Sequence, residues 1–193
     1  MKVELVTLRG RRVRLEPLSI DHVESLCRVG LEPDLWRWIP TAVSTAEEMH
    51  AYVASALEEQ RRGVSLPFAI VEQGSNLVIG STRYANIEPA DRRIEIGWTW
   101  LTSTHQRTGA NTEAKFLLLT HAFEALGAIR VELKTDALNQ VSRTAILRLG
   151  AVEEGTFRKH RITASGRIRD TVYFSIIDTE WPEIKARLAR LLR

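Results

Sequence analysis

Cysteine is nearly absent from this chain. Cys27 is the only one in 193 residues, so no internal disulfide can form. It lies in an apolar helical stretch, where a thiol reads as a small hydrophobe rather than a nucleophile. Long hydrophobic runs are missing too: none approaches the roughly 18 residues of a bilayer crossing. The opening segment MKVELVTLRGRRVRLEP is charged throughout and alternates in polarity, unlike a signal or transit peptide. A cytoplasmic location is therefore expected. Charge of one sign is also scarce. The net charge is +3, and it is spread along the chain, with local patches at Arg9-Gly10-Arg11-Arg12 and at Lys185, Arg187, Arg190 and Arg193. A nucleic-acid binder concentrates its charge on one stripe, so neither nucleic acid nor a membrane is expected as a partner. Linkers, repeats and low-complexity tracts are absent as well, and residues 1–193 read as one domain.

What is present is a globular composition, 44% hydrophobic and 26% charged. VELVTLRGRRVRLEPL alternates at period two around Arg9-Gly10, as a strand or hairpin does. Two helical segments follow. The second, STAEEMHAYVASALEEQRRG, places Ser44 and Glu47 at capping-box spacing. LPFAIVE, LVIGSTRY and RIEIGWTWL read as strands, the first two joined by the turn QGSN. GANTEAKFLLLTHAFEALG is a helix apolar on two sides, which belongs in the middle of a fold. IRVELKTD is a strand, NQVSRTAILRLG a helix, and AVEEGTFRKHRI and RIRDTVYFSII a strand pair before a last helix. Antiparallel hairpins thus surround one strand–helix–strand unit, which predicts an α/β fold with a mixed sheet. A right-handed crossover would lay the strands at 94–101 and 130–135 side by side and parallel.

The stretch STHQRTGANTEAK carries the chemistry. The first turn of a helix has amide hydrogens without internal partners, and with the helix dipole they favour an anion. Gly109 removes the side chain that would hold a phosphate away, and it permits positive φ. Arg107 adds charge; Thr108 and Thr112 add hydroxyls. The run Gln106-Arg107-Thr108-Gly109-Ala110-Asn111-Thr112 therefore suits a pyrophosphate. A simple strand-to-helix turn would also need one glycine. The three-glycine dinucleotide fingerprint and the Gly-Lys-Ser/Thr of a P-loop are both missing.

EIGWTWLTSTHQRTGANTEAK followed by VELKTDALNQVSRTAILRLGAVEEG resembles the GNAT N-acetyltransferase superfamily, and within it the RimJ/RimL-like branch, whose named members acetylate N-terminal amines of ribosomal proteins. The similarity extends over nearly the whole chain. It implies a GNAT-like, mostly antiparallel sheet of about seven strands with a splayed central parallel pair and helices on both faces. It implies acetyl-CoA as cofactor, its pyrophosphate on the loop from Gln106 to Asn111, with Gly109 as the matched glycine. Asn111 departs from the pattern, which has a small residue there. The resemblance puts the pantetheine arm in the splayed gap, against the backbone of Trp98, Thr99, Trp100 and Leu101. Asn139 and Ser142 match the family's Asn-x-x-Ser. The resemblance has Asn139 brace the cofactor arm and Ser142 donate a proton to the departing thiolate. Many relatives use a tyrosine on this helix, and none lies in 139–150. Asn139 alone would also serve as a helix N-cap.

The implied reaction moves acetyl directly to a primary amine in a ternary complex, without a covalent enzyme intermediate. A backbone amide near Trp98 would stabilise the oxyanion. Glu95 is the candidate base, unless water relays the proton. Its alternation with Ile94 and Ile96 leaves open whether it faces a cleft or solvent. Trp36, Arg37 and Trp38 form an expected wall of the acceptor pocket, with Arg83 and Tyr84 as further candidates. The acceptor is a peptide N-terminus or a small amine. Relatives often dimerise, so a homodimer is compatible with the resemblance. The competing reading is a non-catalytic acyl-CoA-binding sensor of the same fold.

Overall fold

The alternation around Arg9-Gly10 produces a hairpin. In the computed structural model, which describes residues 1–193, β1 (Leu8–Arg9) pairs antiparallel with β2 (Val13–Pro17). Helices α1 (Val23–Gly30), α2 (Pro33–Trp36) and α3 (Ala46–Arg61) follow. The capping box of α3 lies one residue later than its spacing predicted: Thr45 is the N-cap and Glu48 closes the box. Glu48 accepts from the Ser44 amide at 2.7 Å and the Thr45 amide at 3.2 Å. Two hydroxyl residues followed by two glutamates made the register ambiguous from spacing alone.

Strands β3 (Leu66–Glu72), β4 (Val78–Glu88) and β5 (Arg93–Leu101) form a meander. Helix α4 (Ala110–Thr120) runs on through a π turn at His121–Ala125. Then come β6 (Arg130–Asp136), α5 (Gln140–Leu149), β7 (Val152–Ile162), β8 (Ile168–Ile177) and α6 (Trp181–Leu191). The eight strands form one sheet in the order β1-β2-β3-β4-β5-β6-β8-β7. Only β5 and β6 are parallel, joined by the crossover through α4. The count exceeds the expected seven because the first segment supplies two strands.

Both faces of the sheet are covered, so β3 is buried at every position but Glu72. Phe68 and Ile70 join the core beneath α4, α5 and α6, with Tyr84, Leu118 and Phe174. Ala69 and Val71 join the core beneath α1 to α3, with Leu26, Met49 and Trp100. Each fully buried large apolar side chain contributes about 1.5–3 kcal/mol relative to exposure. No helix is long and apolar enough to cross a membrane.

Candidate active site

The gap begins where β5 leaves β6. The two strands pair only at Arg93–Arg130, Ile94–Val131 and Glu95–Glu132. Strand β6 keeps its pairing with β8 as far as Asp136, so it is β5 that turns away. The turn is a bulge. Register with β4 passes from Arg83↔Gly97 to Ser81↔Trp100, leaving two residues opposite Thr82, and Trp98 has φ 53. An extra residue bends its strand and increases the local twist. A cavity of about 1540 Å³ runs through the resulting wedge. It is lined from the α4–α6 face by the 106–112 loop and the first turn of α5, and from the opposite face by Trp38 and Glu95.

The loop entering α4 presents unpartnered donors. Arg107 (φ 63) and Gly109 (φ 92) are both left-handed, a geometry that gathers successive amides toward one point. The Ala110 amide lies 3.4 Å from Thr108 Oγ1, and the Glu113 amide bonds the Gly109 carbonyl at 2.9 Å. The amides of Arg107, Thr108, Gly109, Asn111 and Thr112 have no protein acceptor. Such a set suits a ligand bearing anionic oxygens. Gln106 turns its side-chain amide back to the Leu101 carbonyl at 3.1 Å. Ala110 is buried in the core below the loop and does not line the cavity.

Sequence reasoning missed how two arginines reach this loop. Glu113, buried in the first turn of α4, accepts from the amides of Arg11 (3.0 Å), Arg12 (2.7 Å) and Val13 (2.8 Å). Gly10 makes this possible, since a Cβ there would lie 2.6 Å from the Glu113 carboxyl carbon. The clamp sets the Arg12 side chain beside Gly109, with Nε 3.6 Å from where a Cβ would stand. From α5, Arg148 donates to Thr112 Oγ1 at 3.2 Å. Arg12, Arg107 and Arg148 all line the cavity.

On α5, Asn139 is the N-cap and accepts from the Ser142 amide at 3.0 Å. The Ser142 hydroxyl has no protein partner, and both residues line the cavity. Trp98, Thr99, Trp100 and Leu101 line it from β5. Glu95 is 2% exposed and faces away from Ile94 and Ile96. Its Oε2 takes both Lys134 Nζ at 2.6 Å and Asn86 Nδ2 at 2.5 Å. Its Oε1 has no protein donor and lies beside Gly97, 2.9 Å from where a Cβ there would stand. Lys115 was not anticipated. It shares a buried stripe of α4 with Leu119 and Ala122, and a charge inside an apolar stripe was the readable signal. It lines the cavity and bonds Thr99 Oγ1. Burial lowers its pKa to about 7.

Four acceptor-wall candidates do not reach the cavity. Trp36 is buried against Tyr52 and Trp100 and donates to the Gly30 carbonyl at 2.7 Å. Arg37 is exposed and lies over the Trp38 ring. Arg83 points to α3, where it pairs with Glu59 at 3.0 Å. Tyr84 points to the other core and donates to the Leu118 carbonyl at 2.6 Å. Alternation along β4 sends these last two to opposite faces. Trp38 does line the cavity, joined by Arg169 from β8, whose Nη1 donates to the Trp38 carbonyl at 3.2 Å.

Residues 12–152 match the Acetyltransferase (GNAT) domain. The chain belongs to the GNAT acetyltransferase family. A GCN5-related N-acetyltransferase from Brucella melitensis superposes on this GNAT fold with a TM-score of 0.93 at 33% identity, covering 100% of this chain and 88% of that one. Mycobacterium smegmatis RimJ, solved in complex with CoA-disulfide, superposes with a TM-score of 0.82 at 25% identity, covering 97% and 93%. YdaF of Bacillus subtilis (strain 168), provisionally named a ribosomal N-acetyltransferase, is 34% identical over 96 residues. That match covers 50% of this chain and 51% of YdaF, so it spans about half of that relative's length. Relatives named as a ribosomal N-acetyltransferase and as RimJ are thus among the proteins this chain is similar to.

Proposed function

We propose that this protein is an acetyl-CoA-dependent N-acetyltransferase that passes acetyl directly to a primary amine in a ternary complex. The observation that carries this reading is the set of unpartnered amides at residues 107–112, placed at one end of a gap whose far face holds Glu95. The donor set fits a diphosphate: several amides converge with positive φ, and three arginines stand around them. Acetyl-CoA, when bound, supplies an acetyl group already activated as a thioester.

The chain's own residues have four tasks. Gly109 and its neighbours hold the diphosphate, with Arg12, Arg107 and Arg148 adding charge. The unpaired stretch of β5 from Trp98 to Leu101 offers backbone groups to the extended arm, since β6 no longer uses them. A backbone amide at the Trp98 bulge faces the developing oxyanion. Glu95 Oε1 accepts the proton of the amine, and Ser142 donates to the sulfur. The acceptor approaches past Trp38 and Arg169. Relatives named for ribosomal and RimJ-type acetylation favour a peptide N-terminus as that acceptor.

Thiol release from acetyl-CoA with a panel of N-terminal peptides and small amines tests this reading. Turnover with at least one amine, abolished when its nitrogen is blocked, is expected. Saturable acetyl-CoA binding with no turnover across the panel would favour the non-catalytic sensor instead.

A further inference from the structure

Lys115 is the only buried lysine of the chain, at 6% exposure. It reaches from the second turn of α4 to the underside of the β5 bulge. Its ammonium donates to Thr99 Oγ1 and, at 3.5 Å, to Thr82 Oγ1. The two hydroxyls bond each other at 2.7 Å. Thr99 Oγ1 lies 3.4 Å from the Gly97 carbonyl oxygen, and Thr82 Oγ1 lies 3.5 Å from it. The network thus closes on the peptide unit that enters Trp98, where β5 parts from β6.

No carboxylate balances this charge. Glu113, on the same helix, is committed to the Arg11–Val13 amides. Glu95 faces the opposite side of the sheet, toward Lys134. From β4, Tyr84 bonds Leu118 and lies 3.2 Å from His121 Nδ1. From α5, Arg148 bonds Thr112. A buried ammonium with only neutral partners is unfavourable. Burial accordingly pulls its pKa down to about 7, leaving a group that readily gains or loses its charge near neutrality. A cation held beneath a cavity without a protein counter-charge is matched to negative charge arising in that cavity.

We propose that Lys115 is a positioning residue for acetyl transfer: acting through Thr99, it fixes the bulge at Trp98 and, when protonated, places positive charge beneath the gap. The proposal rests on the acetyl-CoA reading of the cavity. In the transfer, the amine nitrogen bonds to the acetyl carbon and the carbon–sulfur bond breaks. The electron pair leaves on sulfur as the CoA thiolate, and the amine proton passes to the Glu95 carboxylate. Negative charge therefore gathers on the carbonyl oxygen and then on sulfur. A protonated Lys115 held beneath the gap favours both.

The test compares the unsubstituted protein with Lys115→Met, which keeps length and packing, and with Thr99→Val, which keeps the lysine and removes its partner. The first readout is the ratio of the unsubstituted kcat to the Lys115→Met kcat across pH. That ratio should fall as pH rises through about 7, where Lys115 loses its proton. The second is the split between kcat and KM. Both variants should lose about 10- to 100-fold in kcat, the range of a lost electrostatic contact, while CoA affinity stays within about threefold. An unchanged kcat in Lys115→Met at every pH, or a ratio that does not vary with pH, would overturn the proposal and leave the cofactor reading standing. Failure of CoA to bind the unsubstituted protein would overturn both.

Discussion

Gly109 and Ser142 carry separable duties, and single substitutions should separate them. At φ 92, a β-branched side chain on residue 109 is strained by about 1–2 kcal/mol. Its Cβ would meet only the Arg12 side chain, at 3.6 Å, so the fold survives and the loop relaxes away from its left-handed turn. Gly109→Val should weaken acetyl-CoA binding about tenfold or more by calorimetry, with little loss of folding. Ser142→Ala should bind acetyl-CoA normally, because the residue 142 amide still donates to Asn139 Oδ1. Its kcat should fall by about 100-fold, a value within the range for a lost general acid. An unchanged kcat would remove Ser142 from the reaction. Lys115 leaves a mark on stability. Its folded pKa is about 7 against 10.5 for an ordinary lysine, so between those values the unfolded chain binds more protons. Stability relative to Lys115→Met should therefore rise with pH across that window and level off below about 7. Urea midpoints of the two proteins at several pH values read this directly.

The contact between the β1–β2 hairpin and α4 is the joint that completes the loop. Removing the carboxylate with Glu113→Ala leaves three amides without an acceptor and should cost about 2–3 kcal/mol. Hydrogen exchange should quicken at residues 11–13, and acetyl-CoA affinity should fall because Arg12 loses its anchor. A loss of stability with no change in affinity would show that Arg12 has no part in binding. Nothing in the sequence announced this contact, which bridges residues about a hundred positions apart. Local signals were more readable. Gly30 and Gly150 end helices where expected, and the apolar run LPFAIVE gave β3. Gly109 stood out by its place between strand and helix. The bulge did not. Strict alternation along RIEIGWTWL would put Ile96 and Trp100 on one face, but the extra residue sends Trp100 into the core beneath α1 to α3. The cavity wall was expected from residue type alone: Trp36 and Arg83 are bulky and polar-tipped, as wall residues are, yet their partners lie in the packed interior.

The sheet has a seam. β1 to β5 form one side and β6, β8 and β7 the other, and beyond Glu95 and Glu132 no ladder joins them. A ligand lying in the seam substitutes for the missing ladder, so its binding should stabilise both sides together. At about 100 times its Kd, acetyl-CoA should add about 2.7 kcal/mol, or roughly 5–10 °C in Tm for a chain of this size. Because residues from both faces of the sheet line the cavity, donor and acceptor can occupy it at once, and inhibition by a bisubstrate analogue should exceed that by CoA. The most direct check is a backbone amide NMR titration with acetyl-CoA. The amides of Arg107, Thr108, Gly109, Asn111 and Thr112 should shift together and saturate at one ligand per chain, with slowed hydrogen exchange. Saturable binding that leaves those five amides unmoved, or no binding at all, would contradict the assignment of this cavity.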